Sequence, residues 1–512
     1  MTSNDTSAAV AAGLPPFRAI ADLIRENAQA RPGHLALRQG AARMTWQELD
    51  VAADRVAATL QGLGLQPRES IAICGANSIP YVVLFLGGVR AGLAVAPLPT
   101  GATANQLAGM VRDSGARCFF ADAGVPSFEA GVPRIRMDIE AELQAWLAAT
   151  RPRPVQVQVQ PEWPFNIIYS SGTTGSPKGI VQPHQMRWAH VARGENYGYG
   201  PDAVTMVATS LCSNTTLVSA FPCLAKGGTL VLAEGRFDPG AYLALAQDAR
   251  ATHAMLVPVQ YQRLMACPEF DRFDLSSFRM KFCTSAPFAA NLKAQILARW
   301  PGGLVEYYGM TEGGGTCILE AHQFPDKLHT VGRPAEGHDI RLVDEEGREV
   351  PRGEVGEVVG RSGSMMTGYR NQPEQTREAE WYDPAGNRFI RTGDVGRFDE
   401  DGFLVLMDRR KDMIISGGFN VYPSDLEAVL RQHPAVHEAA VVGVPSEAWG
   451  ETPVAFVVPN PDAPAAAELR AWANERVGKI QRLADLRYVP ELPRSDIGKV
   501  LKRQLRDGYS AD

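Results

Sequence analysis

Short apolar runs alternate with helical stretches along most of this chain, and that order constrains the fold more than any other feature. SIAICGA (70–76) is followed by YVVLFLGGVRAG (81–92) and LAVAPL (93–98); later GTLVLAE (228–234) is followed by AYLALAQDARA (241–251) and HAMLVPV (253–259). Strand, helix and strand in that order predict parallel sheets covered by helices, with strand ends feeding the loops where ligands bind. The most apolar run, Tyr81 to Leu98, contains Arg90 and several glycines and is flanked by turn residues. It reads as a buried helix leading into a strand, not as a membrane span. The beginning, MTSNDTSAAVAAGLPP, lacks the basic start and long apolar core of a signal peptide and reads as a loose tail.

A chain of 512 residues exceeds one ordinary core and predicts two or more domains. With 45% hydrophobic and 21% charged residues it fits a packed globular protein, and a formal charge of -6 supplies no global basic field for nucleic acid. Nucleic acid is therefore excluded as an expected partner. Seven cysteines, odd in number, widely spaced and without a CxxC pair, fit reduced thiols in a cytoplasm. His433 and His437 have helical ligand spacing, but Pro434 between them and the lack of carboxylate or cysteine partners at ligand spacing favour a structural role.

Residues 151 to 164, RPRPVQVQVQPEWP, predict a surface connector. From about 338 the texture changes to short strands punctuated by Gly and charged turns, as in a small barrel or antiparallel sheet. After DRRKDMIISGGFN the chain restarts with a capped helix, PSDLEAVLRQH, and a strand, EAAVVGV. The basic turn at 408–411 marks the expected boundary between domains 1–407 and 408–512.

YSSGTTGSPKGIVQPH (169–184) then raises a chemical question. Ser170, Ser171, Thr173, Thr174 and Ser176 offer hydroxyls, Gly172, Gly175 and Gly179 let the backbone turn close to a ligand, and Lys178 adds a positive charge. Such a loop suits a polyphosphate. It is not the common P-loop, in which the lysine directly follows glycine and precedes Ser or Thr; Lys178 lies between Pro177 and Gly179. A Gly/Ser linker is the bland alternative, yet linkers are seldom led by an apolar strand such as FNIIY (165–169).

Four further stretches accompany this loop: EYYGMTEGGG (306–315), FIRTGDVGRFDEDGF (389–403), DRRKDMIISGGFNVYPSDLE (408–427) and LPRSDIGKVLKRQL (492–505). In this order the five resemble the adenylate-forming superfamily of acyl-CoA synthetases, aryl-CoA ligases, luciferases and adenylation domains, over nearly the whole chain and closest in type to 4-coumarate-CoA ligase-like enzymes. The resemblance implies an α/β fold: a large N-terminal domain of two parallel-sheet α/β subdomains plus a small β-barrel, followed by a mobile α+β C-terminal domain. It also implies that ATP activates a carboxylate as an acyl-adenylate with loss of pyrophosphate, after which a thiol, that of CoA, displaces AMP.

On that resemblance Ser170, Ser171, Gly172, Thr173, Thr174, Gly175 and Lys178 hold the β- and γ-phosphates, and Ser285, Ala286 and Pro287 face Tyr308 across adenine. Glu306, Tyr307, Gly309 and Met310 complete the nucleotide wall. Thr311 lies near the α-phosphate and Glu312 is the acid associated with Mg²⁺, an ion suited to one carboxylate plus phosphate oxygens and waters. Asp394 accepts the ribose hydroxyls, Arg409 reaches ribose or phosphate, and Lys411 is the hinge. Lys499 neutralises charge between carboxylate and α-phosphate, while Gly417 and Gly418 border the pantetheine channel. Each has an ordinary alternative: a helix cap at Thr311, a core tyrosine at 308, a turn aspartate at 394, a solvated charge at 409 or 499, a hairpin turn at 417–418.

The chain departs from the pattern where many relatives carry Pro-Leu-Phe-His. Here Thr209-Ser210-Leu211-Cys212 places Cys212 in the histidine position, where it either contacts substrate or is an inert buried thiol. Ser213, Asn214, Thr215, Gln260, Tyr261, Gly313, Gly314 and Gly315 complete a partly polar acyl pocket, which favours an aromatic, cyclic or substituted acid over a long fatty acid. The expected partners are ATP, CoA and that acid; a homodimer stays open. A stand-alone adenylating enzyme that loads a separate carrier protein is the nearest rival. A non-catalytic scaffold is disfavoured by retention of Lys178, Glu312, Asp394, Arg409 and Lys499, and a serine hydrolase by the lack of a G-x-S-x-G elbow.

Overall fold

The computed structural model describes residues 15–147, 153–170, 178–409, 412–416, 419–446, 449–494 and 500–509. Two compact units account for the chain: Met1–Ile340 with Gly360–Ile390, and Arg341–Val359 with Arg391–Asp512. The protein is α/β, and the alternation seen in the sequence becomes two mostly parallel sheets in the first unit.

Among the described residues one sheet has nine strands, in the order Arg333–Pro334, Cys317–Glu320, Gly303–Tyr308, Met280–Cys283, His253–Leu256, Val204–Val207, Thr229–Leu232, Leu35–Gln39 and Ala42–Thr45. From Gly303–Tyr308 to Leu35–Gln39 every pairing is parallel; the strands beyond them are antiparallel edges. The second sheet has seven, ordered Gly368–Tyr369, Lys178–Pro183, Pro164–Ser170, Ala94–Leu98, Ser70–Cys74, Ala116–Ala121 and Arg134–Arg136. Pro164–Ser170 and Lys178–Pro183 pair antiparallel, so the predicted phosphate loop joins the arms of a hairpin.

The apolar run forms helix Ile79–Arg90, started by Ser78, whose hydroxyl accepts from the Tyr81 amide, and followed by the buried strand Ala94–Leu98. Every residue from Tyr81 to Arg90 is buried. Arg90 is tolerated there because helix Trp46–Gly62 supplies two acids: its guanidinium lies 2.6 Å from Asp50 and 2.8 Å from Asp54. That helix starts with a reciprocal capping box between Thr45 and Glu48. No helix among the described residues is long and apolar enough to cross a membrane.

Beyond residue 338 the short strands Asp339–Val343, Gly356–Arg361, Glu380–Tyr382, Arg388–Phe398 and Leu404–Arg409 make one five-stranded sheet. Near the C-terminus, Phe419–Val421, Ile414–Ser416, Gly450–Pro459 and Val436–Ser446 form a sheet in that order, and Asp485–Tyr488 adds parallel to Gly450–Pro459. Ile414, Leu426, Leu430, Val441, Ala455 and Leu469 form its core with helices Pro423–Leu430 and Ala466–Asn474. The expected side-chain cap on the first of these helices is absent: Pro423 fills the first turn, no side chain of Tyr422 caps it, and the Ser424 hydroxyl donates to the Met407 carbonyl instead. His433 is structural, its Nδ1 accepting from the Ala435 amide and its ring 4.7 Å from that of Trp472.

Candidate active site

Four neighbouring parallel strands of the nine-stranded sheet end where the candidate residues begin. Val204–Val207 leads to Thr209–Asn214, His253–Leu256 to Gln260, Met280–Cys283 to Ser285–Pro287, and Gly303–Tyr308 to Gly309–Glu312. Parallel strands release their chains on one edge, so residues far apart in sequence gather there. Cross-links fix the loops: Thr284 Oγ1 donates to the Tyr307 carbonyl (2.8 Å), and Gln260 Nε2 to that of Ala208 (2.9 Å). Asn77 braces the loop at 209–211 by donating to the Thr209 carbonyl and accepting from the Leu211 amide, both at 2.8 Å. Ser285 adopts φ +84°, a left-handed conformation rare for serine, and its hydroxyl lies 2.5 Å from that of Thr215 in the first turn of helix Asn214–Ala225.

Lys178, Tyr369 and Glu312 form the charged part. The two-residue strand Gly368–Tyr369 pairs with Lys178–Pro183, which brings Tyr369 beside the lysine. Lys178 Nζ sits 4.9 Å from the centre of the Tyr369 ring, and the phenol donates to Glu312 Oε1 at 2.9 Å. Burial first, and then the Glu312 charge, hold the phenol well above its ordinary pKa. A cation and an anion thus flank one neutral tyrosine. The base of the hairpin is anchored separately: Tyr169 donates to Asp113 Oδ2 (2.7 Å) and Asn371 Nδ2 to Asp113 Oδ1 (3.0 Å).

Beneath this group lies a buried amide network. Gln182 Nε2 donates to the Thr311 carbonyl at 2.7 Å and lies 3.3 Å from Asn214 Oδ1, while Gln182 Oε1 accepts from Asn166 (2.8 Å) and Arg187 (2.6 Å). Asn166, Gln182 and Arg187 are each 0% exposed.

Gly313 and Gly314 have φ +79° and +82°, and a Cβ on Gly313 would fall 1.9 Å from the Ser364 carbonyl. Only glycine fits, because the chain at 360–365 passes directly against this turn, where Gly313 bridges to Met365 and the Met366 amide donates to the Glu312 carbonyl. Cys212 is half-buried, its Sγ 3.1 Å from Ser210 Oγ, and none of the seven cysteines forms a disulfide. Ser213 caps helix Asn214–Ala225 through its hydroxyl.

Two of the expected site residues turn their side chains inward. Tyr261, expected in the acyl pocket, is a core residue: it is fully buried, donates to the Phe282 carbonyl at 2.9 Å and packs on Phe288 and Trp300. Glu306, expected in the nucleotide wall, turns its carboxylate into a buried ion pair with Lys293, whose ammonium also donates to the Leu328 and Thr330 carbonyls. Tyr307 stacks at 5.6 Å on Phe282, and Tyr308 at the strand end is 9% exposed.

An AMP-binding enzyme family model matches residues 24–370, and the model of the AMP-binding enzyme C-terminal domain matches residues 425–499. The chain belongs to the AMP-binding enzyme family. It is 33% identical over 486 residues to a feruloyl-CoA synthase of Amycolatopsis sp, covering 94% of this chain and 96% of that protein. It is also 30% identical to the fatty acid–[acyl-carrier-protein] ligase ScoC of Streptomyces coeruleorubidus, over 97% and 98% of the two chains. The crystal structure of ATP-bound MatB from Rhodopseudomonas palustris superposes with a TM-score of 0.87 at 29% identity, over 96% of this chain and 99% of that one.

As a member of the AMP-binding enzyme family the chain has further expected positions in its second unit. Asp394 lies in strand Arg388–Phe398, its amide donating to Thr392 Oγ1 at 3.0 Å, and in register it faces Arg409 on the antiparallel neighbour. Ser170 ends its strand as the register partner of Lys178. Ser171, Gly172, Thr173, Thr174, Gly175, Lys411, Gly417, Gly418 and Lys499 lie outside the described residues. Tyr369, Gln182 and Arg187 escaped the motif-based reading. The one sequence signal for them is Arg187 within MRWA, a charge flanked by residues that prefer burial.

Proposed function

We propose that this AMP-binding enzyme is an ATP-dependent acyl- or aryl-CoA ligase, converting a carboxylate, ATP and CoA to acyl-CoA, AMP and pyrophosphate through an acyl-adenylate. The observation that carries the proposal is the Lys178–Tyr369–Glu312 group beside the Thr311 turn, at the edge where four parallel strands end. A carboxylate oxygen of the acid attacks the α-phosphorus of ATP, the bond to the bridging oxygen breaks, and pyrophosphate leaves with the electron pair. Lys178 offers a point charge to the departing phosphates, and the Thr311 hydroxyl a hydrogen bond near the α-phosphate. Tyr308 and Ser285–Pro287 border the adenine. Asp394 with Arg409 serves the ribose side. Lys499 neutralises charge in the first step, and rotation of domain 408–512 about Lys411 then brings Gly417 and Gly418 to the CoA channel.

Among the described residues no three His, Cys, Asp or Glu side chains cluster as a metal cage. The lone Glu312 fits Mg²⁺, which keeps waters and takes its remaining ligands from substrate phosphates. When bound there, the ion would neutralise phosphate charge.

The polar chain of Thr209, Ser210, Cys212, Ser213 and Asn214 favours an aromatic, cyclic or otherwise substituted acid, and the enzyme is assigned to the cytoplasm. Similarity to an acyl-carrier-protein ligase supports a second reading in which a separate carrier protein, not CoA, accepts the acyl group. Pyrophosphate release against aromatic, cyclic, short and long-chain acids, with CoA or carrier proteins as acceptor, decides both points. Binding of ATP without pyrophosphate from any acid would leave a nucleotide-binding scaffold.

A further inference from the structure

Helix His184–Arg193 carries a cation where cations are seldom tolerated. Arg187 is 0% exposed, with its guanidinium carbon 5.7 and 5.6 Å from the ring centres of Phe165 and Phe221. Its hydrogen-bond partners among the described residues are all neutral: Asn166 Oδ1 (3.0 Å), Gln182 Oε1 (2.6 Å), Asn214 Oδ1 (3.1 Å) and His190 Nδ1 (3.4 Å). Burial lowers its pKa to about 9, so it remains charged at neutral pH. Stability alone would be served as well by an apolar side chain of similar volume.

What the charge provides is orientation. A carboxamide has one accepting and one donating end, and a guanidinium only donates. Gln182 must therefore present its oxygen to Arg187, which sends its Nε2 to the Thr311 carbonyl. A flipped Gln182 would set donor against donor and oxygen against oxygen, two repulsive contacts in a dry site. Asn214 is held the same way, its oxygen facing both Arg187 and Gln182, and so pins the start of the acyl-side helix to the same point.

We propose that Arg187 is a positioning residue: by locking the Gln182 carboxamide it fixes the Thr311–Glu312 turn in the geometry that adenylation uses. Only the kinetic arm of its test rests on the ligase function above; the structural arm does not. Hydrogen exchange would be followed by mass spectrometry in ATP-free parent, Arg187→Met, Arg187→Lys and Gln182→Met proteins, comparing residues 309–316 with helix Ala290–Arg299. In Arg187→Met and Gln182→Met the turn should exchange about tenfold faster, the scale of one lost hydrogen bond, with the helix unchanged. Arg187→Lys, which keeps a donor, should fall between. Pyrophosphate release should lose roughly 10- to 100-fold in kcat, the cost of slight misplacement, with the KM for ATP nearly unchanged.

Unchanged exchange in the turn, equal acceleration of turn and helix, or a loss residing wholly in KM would each overturn the proposal. Gln182→Met carries the same prediction should Arg187→Met fail to fold. If the parent binds ATP but releases no pyrophosphate, the ligase function fails while the exchange data still decide the positioning role.

Discussion

Arg90 and Arg187 are both buried arginines on helices of the first unit, and their surroundings are opposite. Arg90 meets two carboxylates, Asp50 and Asp54, the latter shared with Arg25. Arg187 meets three carboxamides and an imidazole. The first arrangement neutralises a charge and ties helix Ile79–Arg90 to helix Trp46–Gly62. The second keeps the charge and spends it on the orientation of amides that reach Thr311. A buried ion pair is thus a local fastening, whereas a buried cation among amides transmits a direction.

The largest effect should come from breaking the fastening. Arg90→Met leaves Asp50 without its cation and Asp54 with Arg25 alone in a mostly buried site, and should cost roughly 3 kcal/mol in denaturant unfolding. Pyrophosphate release per folded molecule should stay within about twofold of the parent, because no described contact links Arg90 to the strand ends. A large loss of turnover in the folded fraction would erase the contrast between the two arginines.

Acid sharpens the comparison next. Helix His184–Arg193 contains His184, lowered to about 4 by burial, and His190, also lowered by burial and then by the Arg187 charge; helix Trp46–Gly62 contains no histidine. Below the unfolded histidine value near 6.5 the unfolded chain takes up protons that the fold refuses, so stability falls as pH drops from about 6.5 towards 4. For His184 alone the loss approaches about 3 kcal/mol at 1.36 kcal/mol per unit. His184→Phe, which keeps a ring against Phe165 at the place of a 5.1 Å edge contact, should flatten the fall of Tm between pH 7 and 4.5. An identical fall in both proteins would remove His184 from the account.

Gln182→Glu would convert the second arrangement into the first by giving Arg187 a carboxylate. Stability should change by less than about 1 kcal/mol, since a paired charge offsets lost amide bonds. Turnover should nevertheless fall about tenfold, or 1.4 kcal/mol, because an oxygen then faces the Thr311 carbonyl. Full activity in this variant would show that amide orientation is irrelevant. The smallest change is Thr45→Ala, which removes the capping box of the helix bearing Asp50 and Asp54 and should cost about 1 kcal/mol without altering kcat.

Much of the fold was legible because periodicity is local. SIAICGA and GTLVLAE became strands, and Tyr81 to Leu98 became a buried helix and strand. The antiparallel pairing of the strands on either side of the expected phosphate loop followed from FNIIY and KGIVQP. Pairing between distant segments was not legible, and it is pairing of Gly368–Tyr369 with Lys178–Pro183 that sets a phenol between Lys178 and Glu312. The inward turn of Tyr261 was not legible, because a residue on helix Pro258–Met265 after the strand end faces either the ligand edge or the core, and its hydroxyl found the Phe282 carbonyl. The direction of Glu306 was hidden for a similar reason: strand alternation, with Lys293 on the covering helix Ala290–Arg299, takes its side chain inward. At helix Pro423–Leu430 the proline set the start without any side-chain cap.

The first turn of helix Asn214–Ala225 has a consequence for redesign. Asn214 contacts Gln182, which holds Thr311, and Thr215 contacts Ser285, so two consecutive residues proposed for the acid side are joined to the turn and loop proposed for the nucleotide. A library that randomises 214 and 215 to obtain new acids would select for restored ATP handling along with selectivity, and its winners would be hard to interpret. Diversity placed at Cys212, whose Sγ lies near Ser210 in the adjoining loop, leaves both joints intact and tests the acid pocket proposed there by itself.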